Sequence, residues 1–321
     1  MRATRIPIGL FVALLALTSC DGTLPQEPAP RSFELAYWLA GNILIFDGAT
    51  GGTRQLTIDG APNLLADPEW SPDGSRIAFT RYSGVGGSPW SSPPATADVY
   101  VMFADGTGMT RVTGNAAGSL VWSRSPTWSP RGDAIAFSGD KGLCVYECGA
   151  LAIYVQELSE GNVPRSVAPE GLDPAWAPDG SHIAFIGLTG GDYPGSLRLV
   201  NPDGSGLTEV PLAISGFFFL GGPTWSPDGT RIALSACNPV CNIYVVRPDG
   251  SDLIQLTTSV LDCSGCGALA PAWSPDGTRI AYTAVQHDES GTQLGRIMAI
   301  PADGGEPVTL VALGYQPSWR P

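Results

Sequence analysis

Pro223-Thr-Trp225-Ser-Pro-Asp-Gly229 is the stretch on which the fold turns, because near-copies of it recur along the chain. The others are Pro68-Glu-Trp70-Ser-Pro-Asp-Gly, Pro126-Thr-Trp128-Ser-Pro-Arg-Gly, Pro174-Ala-Trp176-Ala-Pro-Asp-Gly, Pro271-Ala-Trp273-Ser-Pro-Asp-Gly and a shortened Pro317-Ser-Trp319-Arg-Pro. Their tryptophans lie 58, 48, 49, 48 and 46 residues apart. A period of that length, built from short apolar runs and turn residues, marks a repeat architecture.

Working outward from the tryptophan, Ser-Pro-Asp-Gly fits a type I turn with Pro second and Gly fourth. An alternating strand follows: Ile77-Ala-Phe79, Ile135-Ala-Phe137, Ile183-Ala-Phe185, Ile232-Ala-Leu234 and Ile280-Ala-Tyr282. A third strand comes next, as in Val99-Tyr-Val-Met102 and Ile243-Tyr-Val-Val246, then a second turn such as Asp105-Gly106 or Asp249-Gly250. The last strand ends in sequences like Arg111-Val-Thr113 and Gln255-Leu-Thr257. Period-two alternation puts Ile and Phe on one face and Ala on the other, so neighbouring sheets can stack with tryptophan as filler.

Five units carry all four strands. The segments Leu35-Ala-Tyr37, Ile43-Leu-Ile-Phe46 and Gln55-Leu-Thr57 supply three more strands, and the Trp319 segment supplies one. The expected fold is all-β: a six-bladed β-propeller of four-stranded antiparallel blades, closed by pairing of N- and C-terminal strands, which removes an exposed sheet edge. The Trp-Ser-Pro-Asp-Gly, Arg-Ile-Ala-Phe, Ile-Tyr-Val and Asp-Gly-Thr/Ser series resembles the TolB-type β-propeller repeat, over residues 33–321. Two positions depart from it, Arg131 in place of the turn Asp and Ala177 in place of Ser. The α/β domain that precedes the propeller in TolB has no counterpart here, where a tether is expected.

The N-terminus reads as a targeting segment. Arg2 and Arg5 precede a mostly apolar run from Ile6 to Thr18, too short to span a bilayer. Leu17-Thr18-Ser19-Cys20 resembles the bacterial lipoprotein processing box, which implies cleavage before Cys20 and a diacylglycerol on its thiol. The alternative is an ordinary cleaved signal. The expected organisation is thus a signal peptide over 1–19, lipid anchor and flexible tether over 20–32, and propeller over 33–321.

Removing residues 1–19 takes away Arg2 and Arg5 and no acid, which leaves 15 basic and 30 acidic side chains. That surface repels phosphate backbones and anionic headgroups, arguing against nucleic acid and against electrostatic membrane binding. The membrane is expected to be reached through the lipid alone, in an extracytoplasmic envelope setting.

In such a blade the Asp-Gly turns share one rim. The connections on the other rim are long and varied: Tyr82–Ala97, Asn115–Ser125, Gly139–Ala150, Gly187–Ser196, Ile214–Gly222 and Thr258–Ala270. Binding residues concentrate on variable loops held by a rigid scaffold. Trp90, Trp122, Tyr193 and Phe218 are therefore candidate anchors for an envelope protein or glycan; the competing reading has them packed onto their own blades. Six cysteines, Cys144, Cys148, Cys237, Cys241, Cys263 and Cys266, fall on this rim. Local disulfides are expected outside the cytoplasm. A four-thiolate zinc site from the last four, or a redox pair Cys263–Cys266, are the alternatives.

Little in the sequence suggests catalysis. There are two histidines, and no Gly-x-Ser-x-Gly nucleophile elbow occurs. No cofactor or metal is expected. The residues before the repeated prolines could converge near a central channel, which makes Asp67 and Asp173 candidates for holding a cation or amine. They are equally the carboxylates of the competing enzymatic reading, on a carbohydrate or small ester.

Overall fold

The computed structural model of the chain describes residues 32–321 apart from 59–62, 84–95, 114–119, 121, 141–150, 160–162, 190–191, 215, 218, 260–266 and 288–291. Among the described residues there are 24 strands and no helix. They pair as antiparallel four-strand meanders. The first joins β1 (Glu34–Leu39), β2 (Asn42–Asp47) and β3 (Gly52–Gln55) to β24 (Tyr315–Trp319), which pairs with β1. The second comprises β4 (Leu64–Trp70), β5 (Arg76–Ser83), β6 (Thr96–Phe103) and β7 (Thr110–Arg111). The third comprises β8 (Trp122–Trp128), β9 (Ala134–Asp140), β10 (Ala152–Glu157) and β11 (Arg165–Pro169). The fourth comprises β12 (Gly171–Trp176), β13 (Ile183–Thr189), β14 (Asp192–Val200) and β15 (Thr208–Glu209). The fifth is β16 (Phe219–Trp225), β17 (Ile232–Cys237), β18 (Cys241–Val246) and β19 (Ile254–Gln255). The sixth is β20 (Gly267–Trp273), β21 (Arg279–His287), β22 (Gln293–Pro301) and β23 (Val308–Val311). Single parallel bridges, Ala97 to Trp122 and Cys241 to Gly267, tie the second meander to the third and the fifth to the sixth.

The repeated turn is held by its own side chains. Ser71 Oγ donates to Asp73 Oδ1 at 2.6 Å and accepts from Arg76 N at 2.9 Å, while Gly74 N donates to Ser71 O at 2.8 Å. The hydrogen bonds from Ser71 and Ser75 hold the Asp73 carboxyl down at about 2. In the second repeat Arg131 does not break this turn, because the carboxylate comes from two residues further on: Ser129 Oγ donates to Asp133 Oδ1 at 2.7 Å.

The Leu-Thr and Val-Thr endings have an equally local cause. Thr57, Thr113 and Thr257 are buried, and each hydroxyl accepts from a third-strand amide, of Ile43, Val99 and Ile243, at 2.9–3.0 Å. The same hydroxyls donate to Asn42, Asp98 and Asn242. This side-chain bond lets β7 and β19 stop after two residues without leaving the third strand unpaired.

Packing follows the Ile-Ala-Phe alternation. Ala78 of β5 faces Ile135 and Phe137 of the next meander, whereas Ile77 and Phe79 face back onto Ala36 and Ile43. Ala136 meets Ile183 and Phe185, Ala184 meets Ile232 and Leu234, Ala233 meets Ile280 and Tyr282, and Ala281 meets Leu35 and Tyr37. The small residue of one sheet thus admits the large residues of its neighbour. The inner strands β4, β8, β12, β16, β20 and β24 touch in succession, and β24 also touches β4.

One connection differs from expectation. The stretch 187–196, expected as a loop, is nearly all strand, with Thr189 paired to Asp192 and Gly187 to Ser196. Glycine explains it: a Cβ on Gly195 would lie 2.7 Å from Gly187 O, so only this residue lets the hairpin continue. Among the described residues no helix is long and apolar enough to cross a membrane.

Candidate functional site

The residue before each repeated proline is in the left-handed region: Asp67, Ser125, Asp173, Gly222, Ala270 and Gln316 have φ between 49° and 58°. Non-glycine residues rarely adopt it. Each inner strand carries one extra residue here relative to its partner, as between Ala66 and Glu69 against Thr80 and Ala78. Such a bulge re-aims the backbone, and the freed amides find the preceding meander. Ser125 N donates to Thr80 Oγ1 at 3.1 Å, Asp173 N to Ser138 Oγ at 2.9 Å, Ala270 N to Ser235 Oγ at 3.1 Å and Gln316 N to Thr283 Oγ1 at 2.9 Å. Where β1 offers Trp38 in place of a hydroxyl, Asp67 N donates to Gln316 Oε1 at 3.1 Å.

This belt brings Asp67 and Asp173 together through Ser125. Asp67 Oδ2 accepts from Ser125 N at 3.3 Å, and Ser125 Oγ donates to Asp173 Oδ1 at 3.1 Å. Thr80 Oγ1 and Tyr82 OH also donate to Asp67 Oδ2, at 2.8 and 3.4 Å, and Gln316 Nε2 donates to Oδ1. Both oxygens of Asp67 are thus engaged, which makes it a fastener between units. Burial pushes its carboxyl up, with the Asp173 charge adding; Thr80, the Arg124 guanidinium and Gln316 act the other way. Burial, with the Asp67 charge adding, likewise raises the Tyr82 phenol far above its ordinary value. Asp173 is the more available acceptor, since its Oδ2 has no hydrogen-bond partner among the described residues.

Two residues toward the turn lies a second belt. Glu69 Oε1 accepts from Thr127 Oγ1 at 3.0 Å and Trp128 N at 3.2 Å, and Trp128 Nε1 donates to Glu69 O at 3.1 Å. Trp176 N donates to Thr127 Oγ1 at 3.3 Å, and Trp70 N to Ser318 Oγ at 3.2 Å. Burial raises Glu69 to about 7 against the two hydrogen bonds that oppose it. Part of its surface stays accessible, but the protein packed around it makes desolvation the largest effect. Sequence reading passed over Glu69, whose signal was a carboxylate where other repeats place Thr, Ala or Ser.

The rim candidates divide three ways. Trp122 opens β8 and is partly buried against Ala66, Tyr82 and Ala97, an internal filling position between two meanders. Tyr193 lies within β14 rather than on a loop, and its side chain is outside the described residues. Trp90, Phe218, Cys144, Cys148, Cys263, Cys266 and Cys20 also lie outside them. Phe217, beside Phe218, packs edge-on against Tyr244 at 5.9 Å. Cys237 and Cys241 are bonded to each other across the β17–β18 hairpin, S–S 2.03 Å. Among the described residues no three His, Cys, Asp or Glu side chains group as a metal site.

No family model matches the chain. It is similar to a protein described as a TolB homologue from Chlorobium luteolum, 32% identical over 218 residues, 64% of this chain and 41% of that protein. It is also similar to an uncharacterised peptidase, YuxL, from Bacillus subtilis, 28% identical over 195 residues, 61% of this chain and 25% of that protein. The chain therefore spans between a quarter and about two-fifths of the curated relatives it matches. Among solved structures, TolB from Acinetobacter baumannii superposes with a TM-score of 0.67 at 19% identity, covering 90% of this chain and 67% of that one. The described body has the β-propeller fold of the solved TolB structures.

Proposed function

We propose that the chain is a six-bladed propeller, closed by strands from its two ends, that acts as a lipid-anchored binding scaffold in the bacterial envelope. Ring closure is supported by the β24–β1 pairing and by the inner strands meeting in succession back to β4. The extracytoplasmic setting is supported by the Cys237–Cys241 bond and the sequence before Cys20. The likeness to TolB proteins agrees with both.

The observation that carries the binding role is the contrast between the two rims. On one, short turns are cross-linked: Arg54 Nη2 donates to Ala104 O, Arg76 Nη2 to Gly132 O and Arg165 Nη2 to Pro202 O. On the other, the sequences between β5 and β6 and between β9 and β10 share no pattern between units. Variable connections on a stiff frame are where recognition is built. The partner class is an envelope protein or glycan. The test replaces 84–95 and 141–150 by short glycine-containing turns and compares crosslinked partners in native membranes. Loss of the partner with unchanged circular dichroism is expected; capture as before would refute the reading. Labelling with radioactive palmitate, present in the wild type and absent in Cys20→Ser, tests the anchor.

A second reading is favoured by one observation, the accessible Asp173 beside the raised Asp67. That pair suits general acid–base action on a carbohydrate or small ester. It requires turnover that disappears in Asp173→Asn while folding persists.

A further inference from the structure

In three places a guanidinium from the preceding meander lies over the repeat tryptophan: Arg76 over Trp128, Arg231 over Trp273 and Arg320 over Trp70, at 4.6, 4.8 and 4.9 Å from the ring centres. Arg76 and Arg231 stand immediately before the Ile-Ala strand, where their chains reach the neighbouring indole. In the third meander that position is Ala134, and among the described residues no cation lies over Trp176, as none lies over Trp225 or Trp319. A cleft of about 800 Å³ opens there on the short-turn rim, between the third and fourth meanders, with the half-buried Trp176 and the small Ala134 in its wall.

The cleft is lined by charges of both signs. Asp133, Glu157 and Asp179 contribute carboxylates, and Arg131 and Arg165 contribute cations. Arg131 Nε sits 3.2 Å from Asp133 Oδ2 in an ion pair at the surface, and Arg165 Nη2 donates to Pro202 O at 2.7 Å. Hydrogen bonds from Ser181 hold the Asp179 carboxyl below its ordinary value, so it stays charged. An aromatic face flanked by carboxylates selects a flat cation able to stack and to donate in its plane, which is guanidinium rather than ammonium. The chain's net charge of −13 draws such a group in.

We propose that this cleft binds an arginine side chain of a partner polypeptide, which takes over Trp176 the place that Arg76, Arg231 and Arg320 hold over their own indoles. The site is on the rim opposite the variable connections, so it is independent of the binding role proposed above.

The test follows the indole signals of the 15N-labelled full chain by NMR, with that of Trp176 assigned by substitution. The probes are Gly-Arg-Gly amide, the same tripeptide with citrulline, and guanidinium chloride. A saturable shift with the arginine peptide is expected, with at least about fivefold weaker binding of the citrulline peptide and of free guanidinium. Ala134→Arg should abolish the shift by supplying the missing cover from within; should that variant fail to fold, Ala134→Gln must weaken it several-fold. No saturable shift, equal binding of the citrulline peptide, or unchanged binding in the folded Ala134 variants would overturn the site. Equal binding of free guanidinium would overturn the polypeptide partner.

Discussion

The guanidinium of Arg320 lies 4.9 Å from the centre of the Trp70 indole, so the penultimate residue of the chain rests on the first full repeat. Its Nε donates to Gly74 O at 3.1 Å, its Nη1 pairs with Glu34, and its backbone N donates to Glu34 O at 2.9 Å. Glu34 occupies the place where Arg76 stands in the next unit, so Arg320 replaces a cation that the first unit lacks.

Arg320→Ala should therefore destabilise the fold by about 2 kcal/mol, through loss of a cation–π contact and a charge-assisted hydrogen bond. Arg320→Lys should recover only part, because a point charge cannot stack and bridge together. Urea unfolding of the two variants beside the wild type checks this. An alanine variant within about 0.5 kcal/mol of the wild type would show that the two ends are held by strand pairing alone.

Glu69 predicts a pH dependence. Its folded pKa, about 7, is raised from an ordinary 4.5. An acid raised in this way keeps its proton in the folded state. It costs nothing below pH 4.5, a growing amount between 4.5 and 7, and a constant amount above. Glu69→Gln keeps the acceptor oxygen for Thr127 and Trp128 but cannot ionise. The variant should match the wild type at pH 4 and exceed it by about 1–3 kcal/mol at pH 8. Equal unfolding midpoints at pH 8 would mean that Glu69 ionises freely.

The periodic tryptophans, the Ser-Pro-Asp-Gly turns and the Ile-Ala-Phe strands were readable because each is a local rule: a period, a turn type, an alternation. The sheet pairing of Leu35 with Trp319 followed from counting strands. What could not be read was how the inner strands of neighbouring units bond to each other. The left-handed backbone at Asp67, Asp173 and Gln316 carries no residue signature, because glycine stands at only one of the six positions, Gly222. The tie from Ser125 to both carboxylates depends on a bulge that turns an amide toward the neighbouring sheet. The internal position of Trp122 depends on Ala66 and Ala97 leaving room for it. The stretch 187–196 reads as a variable connection, whereas the close approach of Gly195 to the Gly187 carbonyl and of the Arg198 side chain to Gly187 places both glycines inside a hairpin.

The second repeat gives a prediction in which two adjacent charges behave differently. Asp133 accepts from Ser129 Oγ, and its amide donates back to that hydroxyl at 3.2 Å. Asp133→Ala should cost about 1 kcal/mol by leaving the serine without its acceptor. Arg131→Ala should fall within about 0.5 kcal/mol of the wild type, since its ion pair with Asp133 is at the surface and such pairs contribute little. Thermal unfolding of both variants separates them, and a larger loss from Arg131→Ala would reverse the assignment.

The Cys237–Cys241 bond closes a hairpin whose two cysteines are already paired across β17 and β18, with Asn238 N donating to Val240 O at 3.1 Å. Cross-linking removes entropy from the unfolded chain in proportion to the logarithm of the loop closed, and this loop is short. The stabilisation is therefore at most about 2 kcal/mol. Both sulfurs are buried, so replacement by alanine leaves small apolar gaps rather than unpaired polar groups. The variant with Cys237→Ala and Cys241→Ala should fold with its circular dichroism unchanged and lose no more than about 2–3 kcal/mol in urea. The same measurement on the wild type with reductant should reproduce most of that loss. A collapse of the fold in the double variant would mean that the hairpin does not form without the bond, and that its strand pairing follows the crosslink instead of preceding it.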